Sequence, residues 1–78
     1  MAAVKPTPAQ LRYLRYGLVQ PGGKLPLFDN AGQQIRPDTI RGCIRRGWAE
    51  PWLVNPIKPD WLVCKLTQAG RHAAAGVS

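Results

Sequence analysis

The shortness of this chain limits its fold more than any other feature, because 78 residues can enclose only one modest hydrophobic core. A domain of this size buries only about 60% of the surface that its unfolded chain exposes, which leaves little stability to offset a strained catalytic site. We therefore expect a single domain spanning residues 1–78, with residues 1–6 and 76–78 flexible.

The composition is that of an ordered globular domain. Hydrophobic residues make up 45% of the chain, which argues against disorder. No segment approaches the roughly 20 apolar residues of a membrane-spanning helix. Residues 1–6 also lack the apolar run of a secretion signal. We expect a cytoplasmic protein with no membrane partner.

The net charge is strongly positive, +7, since 11 Lys and Arg residues face four acidic ones. Such an excess in a small domain favours polyanionic partners, which are nucleic acids, acidic protein surfaces and anionic lipids. Solubility alone is the other explanation for this charge.

Residues that could perform catalysis or bind a metal are scarce. Ser78 is the only serine and His72 the only histidine, so no serine triad can be assembled. A structural zinc needs four ligands, and only His72 could join Cys43 and Cys64. We predict no enzyme activity, no cofactor and no metal. Both cysteines are expected to be buried as small hydrophobic residues, without a disulfide.

The first predicted helix starts at a capping sequence. Thr7 can cap it, Pro8 suits its first position and Gln10 completes a capping box. Leucines at helical spacing then mark an apolar stripe, and a glycine is expected to stop the helix after about ten residues. The stripe consists of Leu11, Leu14 and Leu18, and the stop is Gly17.

A short hairpin is predicted after this helix. Pro21-Gly22-Gly23 breaks the chain. Two extended arms, Lys24–Asp29 and Gln33–Arg36, then flank a glycine-containing turn. Pro26 would confine the first arm to a sheet edge. A single helical turn over residues 30–35 is the alternative.

The second predicted helix has an apolar side and an arginine side. Pro37 and Asp38 suit its first turn. Gly47 ends it, and Trp48 is expected to pack back onto its last turn. The apolar stripe consists of Ile40, Cys43 and Ile44. At about 100° per residue, the opposite arc carries Arg41, Gly42, Arg45 and Arg46.

The remainder of the chain predicts two extended arms and a last helix. The arms are Trp48–Val54 and Trp61–Leu66, joined by a proline-rich connector at residues 55–60. Thr67 can cap a helix over Gln68–Ala75. The residues that share one face of the second arm are Leu62, Cys64 and Leu66. The predicted class is α+β, with three short helices and two β-hairpins.

Two segments resemble parts of a winged helix-turn-helix domain of the kind found in small bacterial transcription regulators. Thr39–Trp48 looks like the end of a recognition helix that runs into the first wing strand. Leu66–Arg71, with the sequence L-T-Q-A-G-R, resembles the step from the second wing strand into the closing helix. The resemblance covers Pro37–Ala74, about half of the chain. It implies a small winged-helix-like fold that binds double-stranded DNA.

The resemblance also implies which residues contact DNA. Arg41, Arg45 and Arg46 would enter the major groove and contact phosphates or guanine edges. Gly42 would allow the close approach of a backbone, and Lys58 in the wing would reach neighbouring phosphates. Further candidates for phosphate contacts are Lys5, Arg12, Arg15, Lys24 and Arg36. A solvated helix face is the alternative interpretation of the arginines.

Three tryptophans are many for a chain of this length. We expect Trp48 and Trp52 in the core, whereas Trp61 is as well suited to stack unpaired bases or to contact a protein. An exposed surface of Trp52, Trp61 and the proline-rich turns would define the alternative function. That function is a protein-interaction module with no role in nucleic-acid binding.

Overall fold

The described elements follow the order helix, turn, helix, strand, strand, helix. A computed structural model of the chain describes residues 5–54, 57 and 62–76. The elements are α1 (Pro8–Leu18), a 3₁₀ turn (Pro21–Gly23), α2 (Pro37–Arg45), β1 (Ala49–Val54), β2 (Leu62–Leu66) and α3 (Gln68–Ala74). The predicted α+β class with three short helices is confirmed, and β1 and β2 form a two-stranded antiparallel sheet.

Some predictions fall on residues outside the described part of the chain. These are the flexibility of residues 1–4 and 77–78, most of the connector at residues 55–60 including Lys58, and the strand position of Trp61.

The capping box predicted for α1 is present. The Thr7 hydroxyl accepts a hydrogen bond from the Gln10 backbone N–H at 3.2 Å. In return, the Gln10 side-chain oxygen accepts one from the Thr7 backbone N–H at 2.9 Å. The helix start would otherwise leave these N–H groups without intrahelical partners. The exchange also holds the Gln10 side chain in one orientation.

The buried face of α1 differs from the predicted leucine stripe. Tyr13, Leu14 and Gly17 are buried, whereas Leu18 is exposed. Gly17 is not the left-handed stop that the sequence indicated, because it lies within α1 and has no positive φ. A Cβ at Gly17 would lie 2.8 Å from Cγ of Leu66. The glycine therefore lets α1 pack closely on β2, a long-range contact that a local stop signal cannot reveal.

The hairpin predicted after α1 forms around its turn, where the Ile35 N–H donates to the Leu27 carbonyl at 2.8 Å. Phe28 and Gln34 make a single antiparallel bridge, and the Asp29 N–H donates to the Gln33 carbonyl at 2.8 Å. The arms therefore do not extend into regular strands. The alternative helical turn over residues 30–35 is not formed either, because only residues 30–32 form the turn and Gln34 pairs with Phe28.

The first arm of this hairpin pairs with the main sheet. Lys24 forms a bridge with Lys65 of β2, and the Leu25 N–H donates to the Cys64 carbonyl at 2.8 Å. β2 thus has β1 on one side and this short segment on the other. The segment ends at Pro26, which suits a sheet edge because proline has no N–H to donate to a further strand.

Gly47 ends α2 in a left-handed conformation with a φ of 77°, as predicted. Its N–H donates to the Ile44 carbonyl at 3.0 Å, and the Trp48 N–H donates to the Cys43 carbonyl at 2.9 Å. This pair of hydrogen bonds is a Schellman motif. Trp48 is buried, and β1 begins at the next residue, Ala49. The direction of the chain from α2 into the sheet is therefore set by local hydrogen bonds.

α3 is attached to the sheet at Thr67 and Gly70. The Thr67 hydroxyl accepts from the Gly70 N–H at 3.0 Å and donates to the Gly47 carbonyl. The Thr67 N–H donates to the Trp48 carbonyl at 3.1 Å. Gly70 lies so close to this carbonyl that a Cβ would overlap its oxygen. α3 can dock in this position only because Gly70 has no side chain.

A hydrophobic cluster lies between the helices and the sheet. It includes Ile40 and Cys43 of the predicted stripe of α2, and Cys64 and Leu66 of the predicted inner face of β2. Ile44 of the same stripe is partly buried and packs against the cluster. Its buried members are Tyr13, Leu14, Leu25, Ile40, Cys43, Trp48, Ala49, Cys64, Leu66 and Ala74.

Candidate nucleic-acid interface

The exposed side of α2 carries the predicted arginines. Ile40 and Cys43 are buried in the core, whereas Arg41, Arg45 and Arg46 are exposed. The apolar stripe and the arginines therefore occupy different sides of one nine-residue helix and its C-cap, as the periodicity predicted. Because Ile40 and Cys43 are packed in the core, they hold the helix backbone that carries the arginines in a fixed position.

One acidic residue lies near these arginines. The Asp38 carboxylate is 3.9 Å from the Arg41 guanidinium, and the two side chains are 92% and 62% exposed. An exposed ion pair at this distance contributes at most about 1 kcal/mol. This pair therefore offers little resistance to a phosphate that approaches α2.

Gly42 lies at the contact between α2 and α1. It is partly buried, and a Cβ there would lie 2.7 Å from Nε2 of Gln10. The close approach that Gly42 allows is thus made by the Gln10 side chain of the same domain. A hollow of about 370 Å³ opens beside it, lined by Gln10, Gly42, Arg45 and Arg46. Sequence reasoning assigned Gln10 only a capping role, although the capping box was the signal that its side chain has a fixed direction.

Arg36 lies at the N-cap of α2, where its side chain is exposed and makes no capping bond. It lines a hollow of about 180 Å³ together with Arg12 of α1. Asp29 also lines this hollow, but its carboxylate already accepts the N–H groups of Ala31 and Gln33, both at 2.9 Å. The structure therefore places Arg36 and Arg12 beside the same hollow, whereas the sequence indicated them only as separate phosphate contacts.

Other predicted phosphate contacts are not brought to α2. Arg15 donates from Nε to the Ala74 carbonyl at 3.4 Å and so connects α1 to α3. Lys24 lies on the side of β2 away from β1, and Lys5 is exposed before α1. Lys58, predicted for the wing, lies outside the described residues.

Trp52 is not in the core, contrary to the sequence prediction, since 45% of it is exposed. Trp52 is an extra residue at a β-bulge in β1, and Glu50, two residues earlier and paired with Lys65, is exposed as well. The Cα pairs on either side of the bulge are Pro51–Cys64 and Leu53–Val63. The exposed ring has Nζ of Lys65 5.8 Å from its centroid. Trp48, by contrast, is buried as predicted.

The two cysteines are buried, as predicted, and their thiols are unreactive. Burial, with a smaller contribution from the neighbouring Cys64, raises the pKa of the Cys43 thiol to about 11. Burial also raises the pKa of Cys64. Since the thiolate is the nucleophilic form, neither thiol is activated at neutral pH. Burial likewise raises the pKa of the Tyr13 hydroxyl, with the Cys64 thiol as its next contributor.

Among the described residues, no helix is both long enough and apolar enough to cross a membrane. Comparison of the chain with protein families, curated proteins and solved structures finds no match. The geometry of α2 and its surroundings therefore carries the functional argument.

Proposed function

We propose that this protein binds double-stranded DNA through the exposed side of α2, as a small transcription regulator or an accessory DNA-binding protein of the cytoplasm. The observation that carries the proposal is the division of α2 into two sides. Its apolar residues are buried in the core, and Arg41, Arg45 and Arg46 are exposed. A guanidinium can donate paired hydrogen bonds to a phosphate or to the edge of a guanine.

The surroundings of α2 support this proposal. The Schellman motif at Gly47 leads directly from α2 into β1, so the sheet is held in a fixed position beside the arginines. This is the arrangement expected of a recognition helix followed by a wing. The net charge of +7 supplies the long-range attraction to DNA that such a small interface needs.

The proposal is tested by fluorescence anisotropy of a labelled random duplex across a series of salt concentrations. Affinity should fall linearly on a log–log plot because Lys and Arg side chains displace counterions. Arg41→Ala combined with Arg45→Ala should lower affinity at least about tenfold and reduce the slope by about 2. Both side chains are exposed, so far-UV circular dichroism should remain unchanged.

The matched control removes the same charge elsewhere. Lys24 lies on the far edge of the sheet, and Arg71 contacts the turn at Gly23, where its Nη2 lies 3.0 Å from the position of a Cβ. Lys24→Ala combined with Arg71→Ala should weaken binding less than the α2 pair does. Equal losses would mean that charge alone matters and that α2 is not the contact face. No binding at low salt would exclude the proposed function.

The exposed ring of Trp52 supports a second candidate, a protein-interaction module. Trp is favoured at the centres of protein interfaces, and Trp52 lies beside Gly22, whose missing Cβ would be 3.3 Å from the ring. Trp61, which belonged to the same hypothesis, lies outside the described residues. A specific partner that survives nuclease treatment and is lost with Trp52→Ala would favour this function. Quenching of tryptophan fluorescence by single strands would instead indicate base stacking.

A further inference from the structure

The polar side chains around the hollow between α1 and α2 are mainly hydrogen-bond donors. The hollow is lined by Gln10, Gly42, Arg45 and Arg46. Arg45 and Arg46 carry guanidinium groups, which donate hydrogen bonds and cannot accept them. None of the residues that line it is acidic. Both arginines are exposed, and the absence of a side chain at Gly42 allows the Gln10 amide to approach α2.

The direction of the Gln10 amide completes this pattern. Its oxygen accepts the Thr7 N–H at 2.9 Å in the capping box, so the oxygen is turned towards the start of α1. The amide nitrogen is consequently turned the other way, and it lies 2.7 Å from the position that a Cβ on Gly42 would occupy. The capping box therefore fixes a hydrogen-bond donor at the hollow. The side chains that line the hollow thus bring two guanidinium groups and one amide nitrogen, all of which are hydrogen-bond donors.

We propose that this hollow binds one phosphate group, and that in the proposed function, on which the inference rests, it holds a phosphate of the DNA backbone. An oxyanion accepts several hydrogen bonds at once, and guanidinium groups match its geometry. The Gln10 amide adds a neutral donor from a second helix. The bound phosphate would bridge α1 and α2 and fix the orientation of the domain on the duplex, since phosphate contacts position a protein without reading sequence.

The decisive variant is Gln10→Glu. Glutamate can also accept the Thr7 N–H in a capping box, and a negative charge in the first turn of a helix is favourable. The fold should therefore be retained, while the donor at the hollow is replaced by a carboxylate that repels phosphate. We expect duplex affinity at low salt to fall at least about tenfold and the log–log salt slope to decrease by about 1.

Gln68→Glu is the matched control. Gln68 is exposed and occupies the first position of α3, so the substitution makes the same change of charge in the first turn of another helix. Its effect on duplex affinity should be small. If Gln10→Glu and Gln68→Glu weaken binding equally while the α2 arginine variants weaken it more, DNA binding stands and the phosphate site is overturned.

A second measurement does not depend on DNA. Inorganic phosphate is titrated into the labelled protein while NMR follows the Gln10 side-chain amide and the Gly42 backbone amide. Both resonances should shift in the wild type and in Gln68→Glu. In Gln10→Glu, which has no side-chain amide at residue 10, the Gly42 backbone amide should not shift. Shifts without duplex binding would support the site for free phosphate and overturn the DNA function. Resonances that do not move would overturn the phosphate site whatever the duplex result.

Discussion

The junction between α3 and the sheet and the contact between α1 and α2 each depend on a glycine inside a helix, but the two glycines have different neighbours. At the first junction, a Cβ on Gly70 would overlap the carbonyl oxygen of Trp48. At the second, a Cβ on Gly42 would lie 2.7 Å from the amide nitrogen of Gln10. A backbone carbonyl in a strand entry cannot move aside, whereas the end of a glutamine side chain can.

Gly70 is therefore a glycine that folding needs, whereas Gly42 belongs to the proposed phosphate site. The Gly70 junction is closed, because backbone meets backbone and the Thr67 hydrogen bonds hold both sides. The Gly42 contact is open, because it borders a hollow lined by polar side chains. Substitution by alanine should therefore destabilise the first region strongly and the second hardly at all.

The largest effect is expected for Gly70→Ala. The added methyl would force α3 away from Trp48 and break the hydrogen bond from the Thr67 N–H to the Trp48 carbonyl. Overpacking together with a lost buried hydrogen bond should lower the free energy of unfolding by about 3–5 kcal/mol. A domain of this size has little more than that to lose.

Urea denaturation monitored by circular dichroism measures this loss. Ala69→Gly is the control, because Ala69 is exposed in the same helix and the change tests helix propensity alone. It should cost about 1 kcal/mol or less. A Gly70→Ala protein as stable as the wild type would show that α3 does not pack on the sheet as described.

A smaller loss is expected for Gly17→Ala. The new Cβ would lie 2.8 Å from Cγ of Leu66 and 2.9 Å from Cδ2 of Leu25, both of which are leucine side chains. Alanine gains about 1 kcal/mol of helix propensity over glycine, which offsets part of the overpacking cost of about 1–3 kcal/mol. Unfolding experiments should therefore show a net destabilisation of up to about 2 kcal/mol.

Leu66→Ala in the Gly17→Ala background sharpens this prediction. If the clash with Leu66 causes the loss, the two substitutions should be less destabilising together than the sum of their separate effects. Strict additivity would mean that α1 and β2 are not in contact at Gly17.

The sequence predicted best those parts of the fold that depend on neighbouring residues. The Thr7 capping box and the left-handed Gly47 followed by a buried Trp48 are local patterns, and the structure has both. The interpretation of Gly17 as a helix stop was wrong because its role comes from β2, which is distant in the sequence. Trp52 was misplaced because β1 begins only at Ala49, after Trp48, so the two tryptophans do not share the alternation of one strand.

In the candidate site, too, the sequence predicted what depends on neighbouring residues and missed what depends on packing between elements. Helical periodicity placed Arg41, Arg45 and Arg46 on one side of α2, and the structure agrees. It could not show that Gln10 approaches Gly42, since this requires α1 and α2 to be packed together. The predictions for DNA contact by these residues remain for the binding experiments to decide.

The smallest effect on stability is expected for Gly42→Ala, which completes the contrast with Gly70. Alanine should gain about 1 kcal/mol of helix propensity within α2. Against this, the Gln10 amide must move away from the new methyl and weaken its hydrogen bond to the Thr7 N–H, at a cost of about 1 kcal/mol. The free energy of unfolding should therefore change by less than about 1 kcal/mol.

Phosphate binding should respond differently, because the methyl displaces the Gln10 amide nitrogen, which is the donor that the proposed site uses. Gly42→Ala should thus keep its urea midpoint and lose the phosphate-induced NMR shift of the Gln10 amide. Destabilisation as large as that of Gly70→Ala would contradict the contrast between the two regions. An intact phosphate shift in a stable Gly42→Ala protein would show that the space at Gly42 is not used by a ligand.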